Sequence, residues 1–214
     1  MNLKDFDGKP PRDDSGEPNL KKLRVVDSIF LNKTLELVNN YKKYFLNYEY
    51  SRAKNEIENF FWKMFCDNYL EIVKKRVYQG QGDEKKSAQY VLYQSLLTIL
   101  KMFAPIMPFI TEEIYQEHFK KFEKVKSIHL TGFPDVSVWN LDNAKDSFGF
   151  DELLEIISKV RTEKTKSQKP MNAECILTLG EKQYTILKLG LLDDLKNVTN
   201  AKGIKQGKEF KIEF

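Results

Sequence analysis

A mainly α fold, an antiparallel helical bundle followed by a small α+β subdomain, is what this 214-residue sequence predicts. Three observations carry that expectation. Apolar residues recur at helical spacing through long stretches of the first half that hold neither glycine nor proline, Pro105 and Pro108 break the pattern near its end, and after Gly132 the spacing changes to short β-rich runs between turn residues. Hydrophobic residues make up 41% and aromatics 13% of the chain against a net charge of +4, so most of the chain has enough apolar surface to offset the entropy of ordering it.

The opening residues 1–23 gather Pro10, Pro11 and Pro18 with Gly8 and Gly16 among alternating charges and read as a linker or extended arm. Leu31, Leu35, Val38 and Phe45, with Tyr41 or Lys42 completing the stripe, predict an amphipathic helix from Val25 to Phe45. Ile57, Phe60, Phe61, Met64, Phe65, Tyr69, Ile72 and Val73 predict one long helix from Tyr48 to Gln79, ended by Gly80 and Gly82. A third begins after Asp83 and carries Leu92, Leu96, Ile99 and Phe103 on one face. The two prolines then force a break at Ala104 to Met107. Thr111, with Glu112 and Glu113 behind it, is placed to cap and open a fourth helix running to Phe122.

These helices form the bundle, residues 24–132, and residues 133–147 form a connector. The subdomain 148–214 then predicts a helix from Asp151 to Val160, β-rich runs at Cys175 to Leu179 and Tyr184 to Leu189, a helix from Leu191 to Val198 and a last strand from Glu209 to Phe214.

Composition excludes several classes. Cys66 and Cys175 with His118 and His129 are too few and too scattered for a zinc site or a disulfide framework, so a reduced, cytoplasmic monomer is expected. No apolar run approaches the ~20 residues that a membrane span needs. Phosphate-cradling glycine loops, zinc-hydrolase histidines and serine-hydrolase elbows are missing. Asp67 and Glu71 lie one helical turn apart, as solvated acids on a surface helix commonly do, and His129 has no partner nearby in sequence.

Basic clustering is more informative. Lys74, Lys75 and Arg76 close the second helix, Lys120, Lys121, Lys124 and Lys126 follow the fourth, and Arg161, Lys164, Lys166 and Lys169 precede the first strand. Cations at helix C-termini also complement the macrodipole, yet three clusters in one chain favour an anionic partner such as RNA. Phe60, Phe61, Trp62, Phe65, Tyr69 and Tyr78 are the nearby aromatics, most of them core at helical spacing. One or two, such as Trp62 or Tyr69, are left over to stack an unpaired base, with Arg52, Lys74, Lys75 and Arg76 holding phosphates and Arg161 and Lys164 adding to the same charge.

Particular strings go further. The run from Ala104 to Gln116, APIMPFITEEIYQ, resembles the proline-broken helix in the anticodon-binding domain of class I aminoacyl-tRNA synthetases for valine, isoleucine and leucine. Pro108, Phe109, Ile110, Thr111, Glu112, Glu113 and Ile114 match that motif position by position. Trp62, Phe65, Cys66, Asp67, Tyr69, Leu70 and Glu71 in FFWKMFCDNYLE are similar to the second helix of the valine-specific branch. SIHLTGFP, NYEYSRAKNEIENFFW and VRTEKTKSQKPMNAECILTL resemble flanking segments, while Asp27-Ser28-Ile29-Phe30 departs from the family's D-[R/K]-W-[I/L] by lacking the tryptophan.

The resemblance spans Val25 to the C-terminus and implies a region that grips tRNA(Val) by its anticodon arm. The parent's remaining domains would attach valine using ATP with magnesium. The family's H-I-G-H and K-M-S-K-S signatures are absent, so this chain is expected to hold no cofactor of its own. A free-standing RNA-binding paralogue, a helical protein-interaction module and an isoleucine-specific relative are the alternatives.

Overall fold

A computed structural model describes residues 5–137, 139 and 147–214. Helix α1 (Val25–Leu46) runs the length of the bundle, as its apolar stripe predicts. The predicted second helix is one continuous rod of three parts, α2 (Tyr50–Asn59), a π-helical stretch (Phe60–Tyr69) and α3 (Leu70–Gln79). The π stretch has a readable purpose. Widening the turn to i→i+5 brings residues five apart onto one face, and Phe60, Phe65 and Tyr69 all meet Phe30 of α1, with Tyr69 stacked on it at 3.9 Å.

Gly80 ends the rod, and α4 (Gly82–Phe103) returns parallel to α1. The two stay in step along their length: Arg24 donates its amide to Ser87 Oγ at 3.0 Å, Thr34 and Ser95 share a hydroxyl hydrogen bond at 3.2 Å, and the Tyr41 hydroxyl donates to Met102 O at 2.8 Å. The proline break falls where expected, but α5 (Pro108–His118) starts at Pro108 and not at Thr111. Proline suits a first helical position because its missing donor is an orphan there anyway. Thr111 is buried inside the helix and donates back to Met107 O at 2.9 Å, so it is no cap. A short α6 (Lys120–Glu123) follows and closes on Lys124 in the left-handed conformation.

The opening arm is anchored on the bundle near its start, and Leu23 at its end is buried in the core. Phe6 is buried between Tyr93 and Phe122, and Asp5 accepts from Gln89 at 2.8 Å and from Lys85. Of the predicted connector, residues 138 and 140–146 lie outside the described residues.

In the tail, α7 (Ser147–Lys166) is longer than the Asp151 to Val160 the sequence predicts. Strand β1 (Cys175–Gly180) is as expected, while α8 (Glu181–Leu187) overturns the second β-rich run. That correction follows from topology. β1 pairs parallel with β2 (Ala201–Gly207), so the chain must cross over between them, and α8 with α9 (Leu192–Thr199) makes the crossover, overriding the strand preference of Tyr184, Thr185 and Ile186. β2, whose two glycines and lysines gave no strand signal, is held by that pairing; β3 (Lys211–Glu213) joins β1 antiparallel on its other edge, giving the order β2-β1-β3.

Bundle and tail share one core: Phe150 of α7 meets Phe30 of α1 at 6.2 Å between ring centroids, and Leu153, Ile156 and Ile157 of α7 are buried in the same cluster as Leu177, Leu179 and Leu195. Gly190, at φ 117°, lets the tail approach α1 closely: a Cβ there would lie 2.7 Å from Val25 Cγ2. Beneath this contact lies a buried charge cluster. Asp27 accepts two hydrogen bonds from the Arg76 guanidinium at 2.8 Å, one from the Tyr69 hydroxyl at 2.7 Å and one from Ser87. Arg76 Nε in turn faces Asp194 Oδ1 of α9 at 3.1 Å, and Arg24 lies 3.6 Å from the other Asp194 oxygen.

Two predictions follow from this cluster. Arg76→Met strands two buried carboxylates, so urea unfolding is expected to show a loss of about 3–5 kcal/mol. The second concerns pH. Burial raises Asp194 to about 6, because its carboxylate makes ionic contacts but receives no aligned hydrogen bond. A raised folded pKa means the folded state binds more protons, so this group's contribution declines as pH climbs through 6. Stability is therefore expected to gain roughly 1 kcal/mol from Asp194 between pH 7 and pH 5, and the gain should vanish in Asp194→Asn when both are unfolded in urea.

Candidate nucleic-acid interface

Where the tail meets the rod, a groove of about 810 Å³ opens, with apolar side chains such as Val160 and Val198 among its polar and basic ones. One wall is the outer face of α3, with Lys74, Lys75, Tyr78 and Gln79. The other is built from the end of α7, the loop at Met171 and Asn172, and the end of α9 from Asn197 to Asn200. The helical period explains the first wall. Ile72, Val73, Arg76 and Val77 turn inward, which leaves Lys74, Lys75 and Tyr78 facing out.

Lys164 makes the floor. It is 1% exposed, and its ammonium donates to Met171 O at 2.9 Å, Ala173 O at 2.8 Å and Thr199 O at 2.7 Å. Three donors are used at once, which only the protonated form has, although burial pulls its pKa below the ordinary lysine value. Among the described residues no carboxylate pairs with it. A buried, unneutralised cation in low dielectric projects a positive field into the groove.

Asn200, in the left-handed conformation that asparagine tolerates, ends α9 and donates its side-chain amide to Asn172 O at 2.7 Å, tying the two lips together. Arg161 lies across the joint and donates to Asp67 O at 3.0 Å. Lys74 is bound to Glu71 at 3.1 Å, an exposed pair of little energetic weight. Of the Asp67 and Glu71 pair, Glu71 is thus paired with Lys74, while Asp67 meets Arg161 through its backbone carbonyl.

Four residues singled out from sequence therefore converge on this groove: Lys74, Lys75, Arg161 and Lys164. Two others are corrected. Arg76 is only 4% exposed and bound to Asp27 and Asp194, and Tyr69 is fully buried with its hydroxyl on Asp27, so neither is free to meet a ligand. Both carry the polar end of a core contact, a role that helical spacing cannot separate from an exposed one. Lys164 also holds its own loop and acts through its charge alone.

Trp62 is 61% exposed and Arg52 stacks over the Tyr44 ring at 4.1 Å, but they lie up the rod, roughly 18 and 33 Å from Lys74 at 1.5 Å per residue. Sequence reasoning places Tyr78 among the candidate aromatics but behind Trp62 and Tyr69, and it misses the amides Gln79, Asn172, Asn197 and Asn200. The position of Tyr78 one turn beyond Lys74 is the signal that sets it apart.

The string PFITEE serves the fold. Glu112 accepts from Ser127 Oγ at 2.9 Å and from the Ile128 amide at 3.0 Å, and His129 Nε2 lies 3.2 Å from Pro108 O. Two strings that carried the family resemblance are thus held to each other. Lys120 and Lys121 of the middle cluster are occupied by Gln116 and the Phe122 ring. Among the described residues there is no group of His, Cys, Asp and Glu suited to a metal ion, and no helix long and apolar enough to cross a membrane.

Comparison with known proteins bears on this surface. The family described as the anticodon-binding domain of tRNA ligase matches residues 27–179. The valine--tRNA ligase of Rickettsia felis is 39% identical over 193 residues, 87% of this chain and 22% of that protein. That of Rickettsia rickettsii (strain Sheila Smith) is 40% identical over 184 residues, 84% of this chain and 22% of the relative. The valine--tRNA ligase of Orientia tsutsugamushi is 37% identical over 191 residues, 83% of this chain and 21% of the relative. The chain thus spans about a fifth of the length of these curated relatives.

Because Lys164 ties the loop at Met171 and Ala173 to the end of α9, Lys164→Met is expected to leave three carbonyls unpaired and cost about 2–4 kcal/mol by chemical denaturation. Hydrogen exchange should quicken at residues 171–173 while the core of α4 stays protected.

Proposed function

Because this chain belongs to the anticodon-binding domain family of tRNA ligases, we propose that it grips the anticodon arm of a tRNA, tRNA(Val), on behalf of a ligase that attaches valine. The observation that carries this reading is the match over residues 27–179, which takes in both α3 and α7, the two helices that flank the groove. The chemistry of discrimination here is binding, with bond-making left to the catalytic part of the ligase. ATP and magnesium belong to that part, since the signatures that hold ATP in such enzymes are not in this sequence.

Lys74 and Lys75 contribute mobile charges at the rim, Arg161 a fixed one at the joint and Lys164 a buried one beneath it. Contacts of this kind neutralise phosphates and release counterions, so affinity is expected to fall steeply as salt rises. The three groups at the rim differ in consequence: the lysines set affinity, whereas removing Arg161 also loosens the joint with the π stretch.

The test is direct titration of the chain with tRNA(Val) across a range of salt concentrations. A linear decline in log affinity is expected, and Lys74→Ala with Lys75→Ala should weaken binding and flatten the slope by about 2. A transcript with an altered anticodon should bind less tightly than tRNA(Val). Affinity indifferent to salt and to both substitutions would overturn the proposal.

A further inference from the structure

The groove offers more than a charged surface, and its shape and lining bear on what part of an RNA it takes. Its volume, about 810 Å³, is in the range of roughly 300–1,000 Å³ typical of small-molecule sites, which is far too small for a duplex and suited to a single splayed residue. Tyr78 stands at its edge with its ring 60% exposed on a rigid helix, paired with no other ring among the described residues. A solvent-facing aromatic with no packing duty is what base stacking needs, because every base has a π face to lay on it.

Side-chain amides accompany the ring: Gln79 follows it on α3, and Asn172 and Asn197 stand on the facing wall, and their side chains make no hydrogen bond among the described residues. Each amide offers donors and an acceptor, the set needed to meet the edge of an unpaired base. Cations then frame this aromatic and amide interior: Lys74 and Lys75 on the Tyr78 wall, Arg161 at the joint, and the ammonium of Lys164 below. The only acid in the lining is Glu71, already engaged by Lys74.

We propose that this groove seats one unstacked nucleotide of an RNA loop, its base lying on the Tyr78 ring with its edge toward Asn172 and Asn197, and its phosphates between Lys74, Lys75 and Arg161. The inference rests on the reading that the chain grips a tRNA anticodon arm, and it assigns a place and a contact set to one base within that grip. The seat is made jointly by bundle and tail, so it exists only while α9 is docked on α3. The buried Arg76, between Asp27 and Asp194, fixes the spacing of the two walls.

The experiment uses the whole 214-residue chain and an anticodon stem-loop RNA carrying the fluorescent base 2-aminopurine at one loop position at a time. One position is expected to change its emission strongly on binding. Tyr78→Ala should abolish that change and weaken binding roughly 5- to 100-fold, while Tyr78→Phe keeps both. Asn197→Ala should alter the preference among bases at the responsive position with a smaller effect on overall affinity. Adenosine monophosphate alone at high concentration should compete weakly and only in the wild-type chain, which separates a free nucleotide from one presented by a loop.

If the stem-loop binds tightly but no position reports on Tyr78, the seat is refuted while the anticodon-arm reading stands. If the stem-loop does not bind the folded chain at all, that reading falls and the seat with it. Displacement of bound RNA by an acidic peptide at equal affinity would also overturn the inference, since charge alone would then explain the groove. Tyr78 is exposed, so its variants are expected to unfold at the wild-type urea midpoint, which rules out misfolding as the cause of any loss.

Discussion

The Arg76 guanidinium, held between Asp27 of α1 and Asp194 of α9, is the contact on which the arrangement of bundle and tail depends. Hydrophobic packing is non-directional and would tolerate several orientations of α9 on α3. A buried ion set with hydrogen bonds on one side is far less forgiving, because a displaced carboxylate would lose its partner in a medium that does not screen it. Asp27 is the fully satisfied member: burial works against its charge, but Arg76, Ser87 and Tyr69 outweigh that and keep it below the ordinary carboxylate value. Asp194 is the under-satisfied one: neither carboxylate oxygen receives an aligned hydrogen bond, and burial raises its pKa.

From that joint the rest follows in both directions. Toward the core, the same Asp27 receives Tyr69, whose ring stacks on Phe30 and, with Phe60 and Phe65, requires the π-helical turn. The polar cluster and the aromatic ladder are therefore one unit, and the unusual helix geometry is the local cost of satisfying both. Toward the surface, the turn of α3 that sends Arg76 inward sends Lys74, Lys75 and Tyr78 outward. One helical period thus divides a single basic run into a structural cation and the wall of a groove.

This division explains what the sequence could and could not disclose. Helix α1, the break at Pro105 and Pro108, strand β1 and helix α9 all follow from local periodicity and local chemistry, and the chain shows them there. The helix at Glu181–Leu187 and strand β2 depend on partners distant in sequence, so local signals miss them, whereas the start of α5 follows a local signal, Pro108 at the first helical position, that outranks Thr111 as a cap. The site divides in the same way. Basic clustering picks out Lys74, Lys75, Arg161 and Lys164, which the fold brings to one groove, since charge is visible in composition. It could not tell that Arg76 and Tyr69 point inward, because both carboxylate partners of Arg76 come from other elements, Asp27 far upstream and Asp194 far downstream.

The residues that carry the family resemblance behave consistently with this. Asp27, Phe65 and Tyr69 hold the core and the joint, and Glu112 holds the turn at Ser127 and Ile128 against Pro108. These four lie away from the groove, whereas Glu71 and, in the string from Val160 to Leu179, Arg161, Lys164 and Asn172 line it. Ile29, which stands where the family's tryptophan is absent, is buried in the core, so the departure is a change of packing and leaves the groove untouched. The strings by which the family is legible thus specify the scaffold and supply part of the groove's lining. The residues proposed to meet RNA are ordinary surface types, Lys, Tyr and Asn, whose chemistry becomes specific only once two separate elements bring them to one place. A groove assembled from the bundle on one side and the tail on the other is therefore completed by geometry, which sets Lys74, Lys75 and Tyr78 of α3 against Asn172 and Asn197 of the tail.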